Sequence, residues 1–221
     1  PVRVSARTHA GTSGLVNIER EVDMSGPIHD KGVLILHSYL TTLFGHLAPL
    51  ALNASIVFEQ EYQGVEGDSA SCAELFAILS ALSQTPLLQG IAVTGALNQH
   101  GEVLPIGGVN EKIEGWFRVC EAAGLNGQQG VLIPERNRRN LMLDRTVLDA
   151  VDQGLFQIYT AVSVLDGLEL LTAKPSGFNP DKPASAYPSD SLLGMAEQTL
   201  ITYRRACSQA SLSRPPRRRR V

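Results

Sequence analysis

The chain has 221 residues, of which 43% are hydrophobic and 19% are charged, and its formal net charge is −3. These values are typical of a globular protein with a buried core, and the small net charge excludes a general attraction to nucleic acid or to anionic membranes. No run approaches the roughly 18 apolar residues that a membrane-spanning helix needs. Three widely spaced cysteines, Cys72, Cys120 and Cys207, suggest no disulfide framework, so we expect a reducing, cytoplasmic compartment.

The first part of the chain carries the patterns of strands, helices and one polar loop. Alternating apolar and polar residues identify the strands, and apolar residues three and four positions apart identify the helices. Glycines at 11 and 14 supply turn chemistry between the first two strands, which are therefore expected to pair as a hairpin. In chain order the patterns predict strands over 2–8 and 14–22, a helix over 28–44, a strand over 54–58, a loop over 62–71 and a helix over 72–82.

Strands and helices continue to alternate in the next part of the chain. The patterns predict strands over 91–97 and 102–106 joined by a hairpin turn at 98–101, a helix over 110–123, a strand over 131–133, helices over 137–143 and 145–152, a strand over 156–160 and a helix over 163–171. This order favours an α+β (mixed α/β) fold in which hairpins and a mixed sheet pack against helices. The chain begins with Pro1 and enters a strand pattern almost at once, so we expect a segment of a longer polypeptide.

The composition changes after Lys174, which sets the expected division into domains. Residues 1–173 form the main domain. Residues 174–190 are rich in Pro, Ser and Ala and are interpreted as a linker. Residues 191–210 favour an amphipathic helix, and residues 211–221 form a basic tail with four consecutive arginines at 217–220.

A loop at the start of an apolar helix contains the first candidate for chemistry. Ser69 lies in the sequence Glu66-Gly67-Asp68-Ser69, beside the free backbone N–H groups at the positive end of the helix dipole. Such donors stabilise the oxyanion that forms when a serine oxygen attacks a carbonyl group, and Gly67 allows a substrate to approach closely. The alternative is that these serines only cap the helix, since Ser71 and Glu74 fit a capping box.

The second candidate is Lys112, which follows Gly107-Gly108 in the first turn of a predicted helix. The helix dipole disfavours a positive charge there, and the neighbouring Ile113 and Trp116 place the lysine at the edge of an apolar face. Both effects lower the pKa of an amine. A neutral lysine can serve a serine nucleophile as its base, whereas the alternative is an exposed lysine without a role. The five histidines have no spacing that identifies one of them as the base.

Linked motifs around these two residues resemble the proteolytic domain of the Lon protease family, and are most like its archaeal-type (B) branch and the bacterial relatives of that branch. The resemblance covers roughly residues 1–172. The motifs are Gly26-Pro-Ile-His-Asp-Lys-Gly32, Glu59-Gln60, Val65-Glu-Gly-Asp-Ser-Ala-Ser71, Ala92-Val-Thr-Gly95, Gly101-Glu-Val-Leu-Pro-Ile-Gly-Gly-Val-Asn-Glu-Lys112 and Val131-Leu-Ile-Pro134. Asp68 and Ser71 stand where the common bacterial form has proline and glycine, which favours the archaeal-type branch.

The resemblance implies an ATP-dependent serine endopeptidase that cleaves polypeptides and assembles as a hexameric ring. It implies that Ser69 is the nucleophile, that Lys112 is the general base, and that the Thr94 hydroxyl orients the lysine. Glu66 and Asp68 match acidic positions near the dyad; they would tune it or, if Asp68 pairs with Lys112, would hold an isolated domain inactive. The chain has no G-x-x-x-x-G-K-[ST] loop, so ATP and Mg²⁺ are expected only through an ATPase portion outside it. No metal site is predicted.

Two other functions remain open from the sequence. The fold could serve as a catalytically silent module that forms rings or binds peptides, although both dyad positions are filled. The arginines at 217–220 could bind phosphates of a nucleic acid, but such a short run is usually a solvated tail.

Overall fold

The structure, a computed structural model, describes residues 1–182 and 186–212. Its strands are β1 (Arg3–Ala10), β2 (Gly14–Asn17), β3 (Leu52–Glu59), β4 (Ile91–Val93), β5 (Ala96–Leu97), β6 (Val103–Leu104), β7 (Gln129–Pro134) and β8 (Phe156–Ala161). Its helices are α1 (Ile18–Glu21), α2 (Pro27–Leu43), α3 (Ser71–Ser83), α4 (Val109–Ala123), α5 (Arg145–Asp152), α6 (Val164–Thr172) and α7 (Leu192–Leu212), with 3-10 helices at Gly45–Leu47 and Glu135–Asn140. The expected α+β fold is confirmed.

The first sheet has the order β1-β3-β2, so the predicted hairpin between β1 and β2 is wrong. β3 lies between them, antiparallel to β1 and parallel to β2. β3 is the central strand and is hydrogen-bonded to a neighbouring strand along both edges. Every second residue of β3, from Leu52 to Phe58, is buried. The second strand is also shorter than predicted, because Asn17 ends β2 and caps α1 by accepting a hydrogen bond from the Arg20 N–H.

The second sheet is parallel, with the order β4-β7-β8, and a small hairpin of β5 and β6 lies beside it. The strand predicted over 91–97 is divided at Thr94 and Gly95, where the chain turns toward the loop that carries Ser69. β6 is shorter than predicted, because the Asn137 side chain binds both backbone groups of Ile106. The same bonds fix a 3-10 helix where a helix over 137–143 was expected.

Two hydrophobic clusters lie on opposite faces of β7. The first, here the α3 cluster, joins α2, α3, α6 and α7 to the first sheet. The second, here the α4 cluster, joins α4 and α5 to β7 and β8. Leu132 belongs to the α3 cluster, whereas its neighbours Val131 and Ile133 belong to the α4 cluster, because successive strand residues point to opposite faces.

The chain after Lys174 packs on the α3 cluster. Helix α7, where an amphipathic helix was predicted over 191–210, buries Leu193 and Ala196 against α3 and β1. Within the segment interpreted as a linker, Ser176 and Tyr187 are also buried. The arginines at 217–220 lie outside the described residues. Over 1–182 and 186–212, no helix combines the length and apolar character needed to cross a membrane.

Candidate active site

Ser69 lies in a turn just before α3, as predicted, but the capping-box interpretation is wrong. Ala70 is the N-cap of α3 and makes no side-chain capping bond. The Ser71 hydroxyl donates instead to the Asp68 carbonyl oxygen at 2.7 Å, and Glu74 is fully buried at 0% exposure. Gly67 is required for its backbone, which has a φ of +83°, while a Cβ there would meet nothing within 4 Å. Ser69 is therefore free of any capping role.

The structure brings Lys112, Ser69 and Thr94 together. α4 begins after Gly108, whose φ is +66°, and the long Lys112 side chain reaches from its first turn to the Ser69 loop. Lys112 Nζ lies 2.8 Å from Ser69 Oγ and 3.3 Å from Thr94 Oγ1. The Thr94 hydroxyl in turn donates to the Ser69 carbonyl oxygen at 3.3 Å. Thr94 thus contacts both the amine and the backbone of the serine.

Desolvation lowers the pKa of Lys112, and the negative charge of Asp68 opposes this effect by raising it. The lysine is exposed as a whole residue. Its amine, however, lies against the hydroxyl groups of Ser69 and Thr94. This environment favours the neutral amine that a general base requires.

The two acidic residues of the loop make their contacts away from the dyad. Among the described residues no carboxylate oxygen of Asp68 lies within 4.0 Å of Lys112 Nζ, so the two form no ion pair. Asp68 packs instead with its Cβ close to Gly32 of α2. Glu66 accepts a hydrogen bond from the Gly67 N–H at 2.9 Å, and its carboxylate fills the space beside Gly26.

The backbone carbonyl of Ser69 is hydrogen-bonded, whereas the backbone N–H groups beside it are free in the described part of the chain. The Gly95 N–H donates to the Ser69 carbonyl at 2.7 Å, and the Cys72 N–H donates to the Gly95 carbonyl at 3.1 Å. Within the described ranges, by contrast, the N–H groups of Ser69 and Ala70 donate to no acceptor. Two adjacent free donors beside a serine oxygen form the arrangement that holds an oxyanion.

An apolar cavity of about 650 Å³ opens beside Ser69 and Lys112. The residues lining it include Ala73, Phe76, Ala77, Ile91, Val93 and Trp116. Trp116 is fixed there because its indole Nε1–H donates to the Gly130 carbonyl at 2.8 Å. The cavity could therefore receive an apolar side chain of a peptide next to the serine.

Cys72 is buried and makes no hydrogen bond with Ser69 or Lys112 among the described residues. Its thiol contacts the Ala96 carbonyl, and burial raises its pKa to about 12, so it stays protonated.

Sequence reasoning missed a buried polar cluster behind the loop, formed by Asn17, Glu19, His29 and Glu74. His29 belongs to the Gly26–Gly32 motif, but no spacing pairs it with another residue in the sequence. A carboxylate at position 74, inside the most apolar helix of the site, was the signal that could have revealed it.

The chain is similar to known proteins of one family. Residues 63–166 match the family model of the Lon protease (S16) C-terminal proteolytic domain. Over 171 residues, 77% of this chain, the sequence is 43% identical to the "Putative Lon protease homolog" of Escherichia coli (strain K12) and 41% identical to that of Haemophilus influenzae. The chain therefore contains a proteolytic domain of the Lon protease family.

The similarity extends to archaeal Lon proteases. Over 97 residues, 44% of this chain and 14% of the relative, the sequence is 44% identical to the archaeal Lon protease of Methanothermobacter thermautotrophicus. The bacterial matches cover 29% and 28% of the length of those relatives, so this chain spans less than a third of them. The Lon proteolytic domain described here is thus similar to one part of those proteins.

Proposed function

We propose that this Lon proteolytic domain is a serine endopeptidase in which Ser69 is the nucleophile and Lys112 the general base. The observation that supports this most is the 2.8 Å separation of Lys112 Nζ and Ser69 Oγ. A serine is a weak nucleophile until an adjacent base removes its proton, and an amine whose pKa is lowered by desolvation can do so.

The proposed reaction passes through an acyl-enzyme. Neutral Lys112 accepts the Ser69 proton as the serine oxygen attacks the peptide carbonyl. The oxyanion that forms accepts hydrogen bonds from the free N–H groups of Ser69 and Ala70. The ammonium then gives its proton to the leaving amine. A water molecule, deprotonated by the same lysine, later hydrolyses the ester. The Thr94 hydroxyl keeps the amine directed at the serine throughout.

Labelling with a fluorophosphonate tests this proposal directly. The probe should react with Ser69, located by mass spectrometry, and the reaction should be lost in Ser69→Ala and strongly slowed in Lys112→Ala. Exposed residues of the same types supply matched controls, Ser13→Ala and Lys174→Ala, which should label like the wild type. An unlabelled wild-type protein that still binds peptides would instead support the catalytically silent module.

The properties of the whole protein are proposals that follow from the family. We infer that the domain acts on polypeptides, belongs to an ATP-dependent protease, and assembles as a hexameric ring in the cytoplasm. ATP and Mg²⁺ would act through an ATPase portion outside these 221 residues. Size-exclusion chromatography with light scattering tests the ring, and peptide hydrolysis with and without ATP tests the dependence in the full-length protein.

A further inference from the structure

One face of α2 supports the loop that carries Ser69 at three positions. Gly26, which precedes the helix, lies against the Glu66 carboxylate; the backbone of Gly67 interacts with the His29 ring; and Gly32 lies against Asp68 and Ser71. These positions are three residues apart, so they share one face of the helix. Glycine at two of them brings the helix backbone close to the loop, and the histidine between them is the one side chain of the three that can bind it.

The histidine is itself held by buried polar groups. Asn17 Nδ2 lies 3.2 Å from His29 Nε2 and 3.4 Å from Glu74 Oε1, and Glu74 Oε1 lies 3.5 Å from His29 Nε2. The exposure of Asn17, His29 and Glu74 is 0%, 1% and 0%. These partners come from β2 and α3, so the imidazole is fixed by two elements besides its own helix.

The hydrogen bonds determine which end of the ring faces the loop. The Asn17 oxygen accepts a bond from the Arg20 N–H, so its amide nitrogen is the group that faces the ring. An amide nitrogen only donates, and His29 Nε2 therefore accepts. The proton of the neutral ring then lies on Nδ1. The Gly67 backbone raises the pKa of His29, as a hydrogen-bond acceptor does, so the ring faces the loop with its Nδ1–H.

The buried polar cluster lowers the stability of the fold, so packing alone does not explain why these polar residues are present. Buried carboxylates are expensive unless they are fully hydrogen-bonded, and one oxygen of Glu74 and one of Glu19 have no partner within the described residues. Apolar side chains of similar size would fill this space at lower cost. No group of His, Cys, Asp and Glu side chains in the described chain is arranged to hold a metal ion, so metal binding does not supply the reason.

We propose that His29 is a positioning residue for Ser69. Its Nδ1–H fixes the Gly67 end of the nucleophile loop, while Asn17 and Glu74 lock the ring from behind. Glu74 lies one turn into α3, so the cluster holds the chain on both sides of the serine. The proposal rests on the Ser69–Lys112 function, since positioning has a consequence only if Ser69 reacts.

The test compares the rate of fluorophosphonate labelling and the kcat and KM for a peptide among His29 variants. His29→Ala removes the donor and should slow labelling and lower kcat about tenfold to a hundredfold, with KM changed less than about threefold. His29→Asn keeps an N–H donor near Nδ1 and should recover much of the rate. His29→Gln places its amide near Nε2 and should recover less.

His46→Ala is the matched control. His46 also pairs with a buried glutamate, Glu197, but this glutamate belongs to α7 and lies far from the loop. The His46→Ala variant should therefore have a lower thermal midpoint and an unchanged rate of labelling. Folded His29→Ala that labels Ser69 at the wild-type rate would overturn the positioning role. A wild-type protein that does not label at all would overturn the dyad instead, so the two failures are distinct.

A measurement on the wild type covers the case in which the variants do not fold. Nitrogen-15 NMR of His29 should show the Nδ1–H tautomer, with a proton protected from exchange whose signal shifts when Ser69 is labelled. An Nε2–H tautomer, or an imidazole signal unaffected by labelling, would contradict the proposal.

Discussion

Ser69 and Lys112 lie beside different hydrophobic clusters, and they are held in place by different means. Ser69 comes from the α3 cluster, where polar groups are buried behind the loop and hydrogen bonds fix the backbone. Lys112 comes from the α4 cluster, whose buried members around the lysine helix are all apolar. Ser69 is thus oriented by hydrogen bonds, whereas Lys112 is carried by a packed helix and its amine is desolvated.

Lys112→Arg should have the largest effect on activity, because arginine cannot lose its charge in a protein and so cannot act as a base. We expect kcat to fall by about a thousandfold or more, while the free energy of unfolding changes by less than about 1 kcal/mol, since position 112 is exposed. Peptide hydrolysis and urea denaturation measure the two quantities. Retained activity would mean that the base is another group.

Phe117→Ala should have the largest effect on stability, because it removes the centre of the apolar packing that carries Lys112. Phe117 is 2% exposed, and its ring meets that of Phe156 edge to face at 5.3 Å. Truncation of such a residue costs about 3–5 kcal/mol, to be measured by urea denaturation. The neighbouring Arg118→Ala, at an exposed side chain, should change stability by less than about 0.5 kcal/mol. Equal effects of the two would refute this account of the α4 cluster.

Glu74→Gln should stabilise the α3 cluster at alkaline pH. Burial and, to a smaller extent, the nearby charge of Glu19 raise the pKa of Glu74 to about 8, although the Asn17 hydrogen bond acts in the opposite direction. The folded state therefore keeps a proton that the unfolded state loses above pH 4.5, so this carboxyl makes stability fall as the pH rises from about 4.5 to 8.

Glutamine resembles the protonated acid and does not titrate. The variant should exceed the wild type by more than about 1 kcal/mol at pH 8 and by little at pH 5, measured by denaturation at both values. His29 faces the same carboxyl but has a lowered pKa because it is buried, so it destabilises the fold only as the pH falls below about 6.5. A stability difference that is the same at both pH values would show that Glu74 is ionised in the fold.

Asp68→Asn should have the smallest effect, a displacement of the pH profile. The Asp68 charge raises the pKa of Lys112, so its removal should lower that pKa and move the rising limb of kcat/KM to lower pH. Ser13→Asn, at an exposed position remote from the site, is the control and should leave the profile unchanged. If the pH dependence of kcat/KM and the activity were both unchanged in Asp68→Asn, Asp68 would have no influence on Ser69 and Lys112.

The sequence allowed the helices to be predicted, because they depend on patterns within short segments. The 72–82 helix and the 110–123 helix were placed to within a residue of where α3 and α4 lie. The proximity of Ser69 and Lys112 followed from motifs that occur in order, not from either residue alone.

Sequence patterns could not predict which distant segments contact each other in the fold. The hairpin prediction used the local turn at Gly11–Gly14, but β3, far along the chain, pairs with both strands. Ser71 and Glu74 have capping-box spacing, but neither side chain caps the helix. The Ser71 hydroxyl donates to the Asp68 carbonyl, and the Glu74 carboxyl faces the buried His29. His29 has no partner within its own helix, so only the folded chain shows what it binds.

Helix α7 makes the protease domain depend on residues well beyond its dyad. It covers α3, and its Tyr203 hydroxyl donates to the Thr8 carbonyl of β1 at 3.1 Å, so it joins the rear of the nucleophile helix to the outer strand of the first sheet. A shorter recombinant fragment that stops at residue 174 would leave the leucines of α3 facing water and would aggregate on expression. The smallest unit suited to crystallisation or inhibitor screening therefore continues through residue 212.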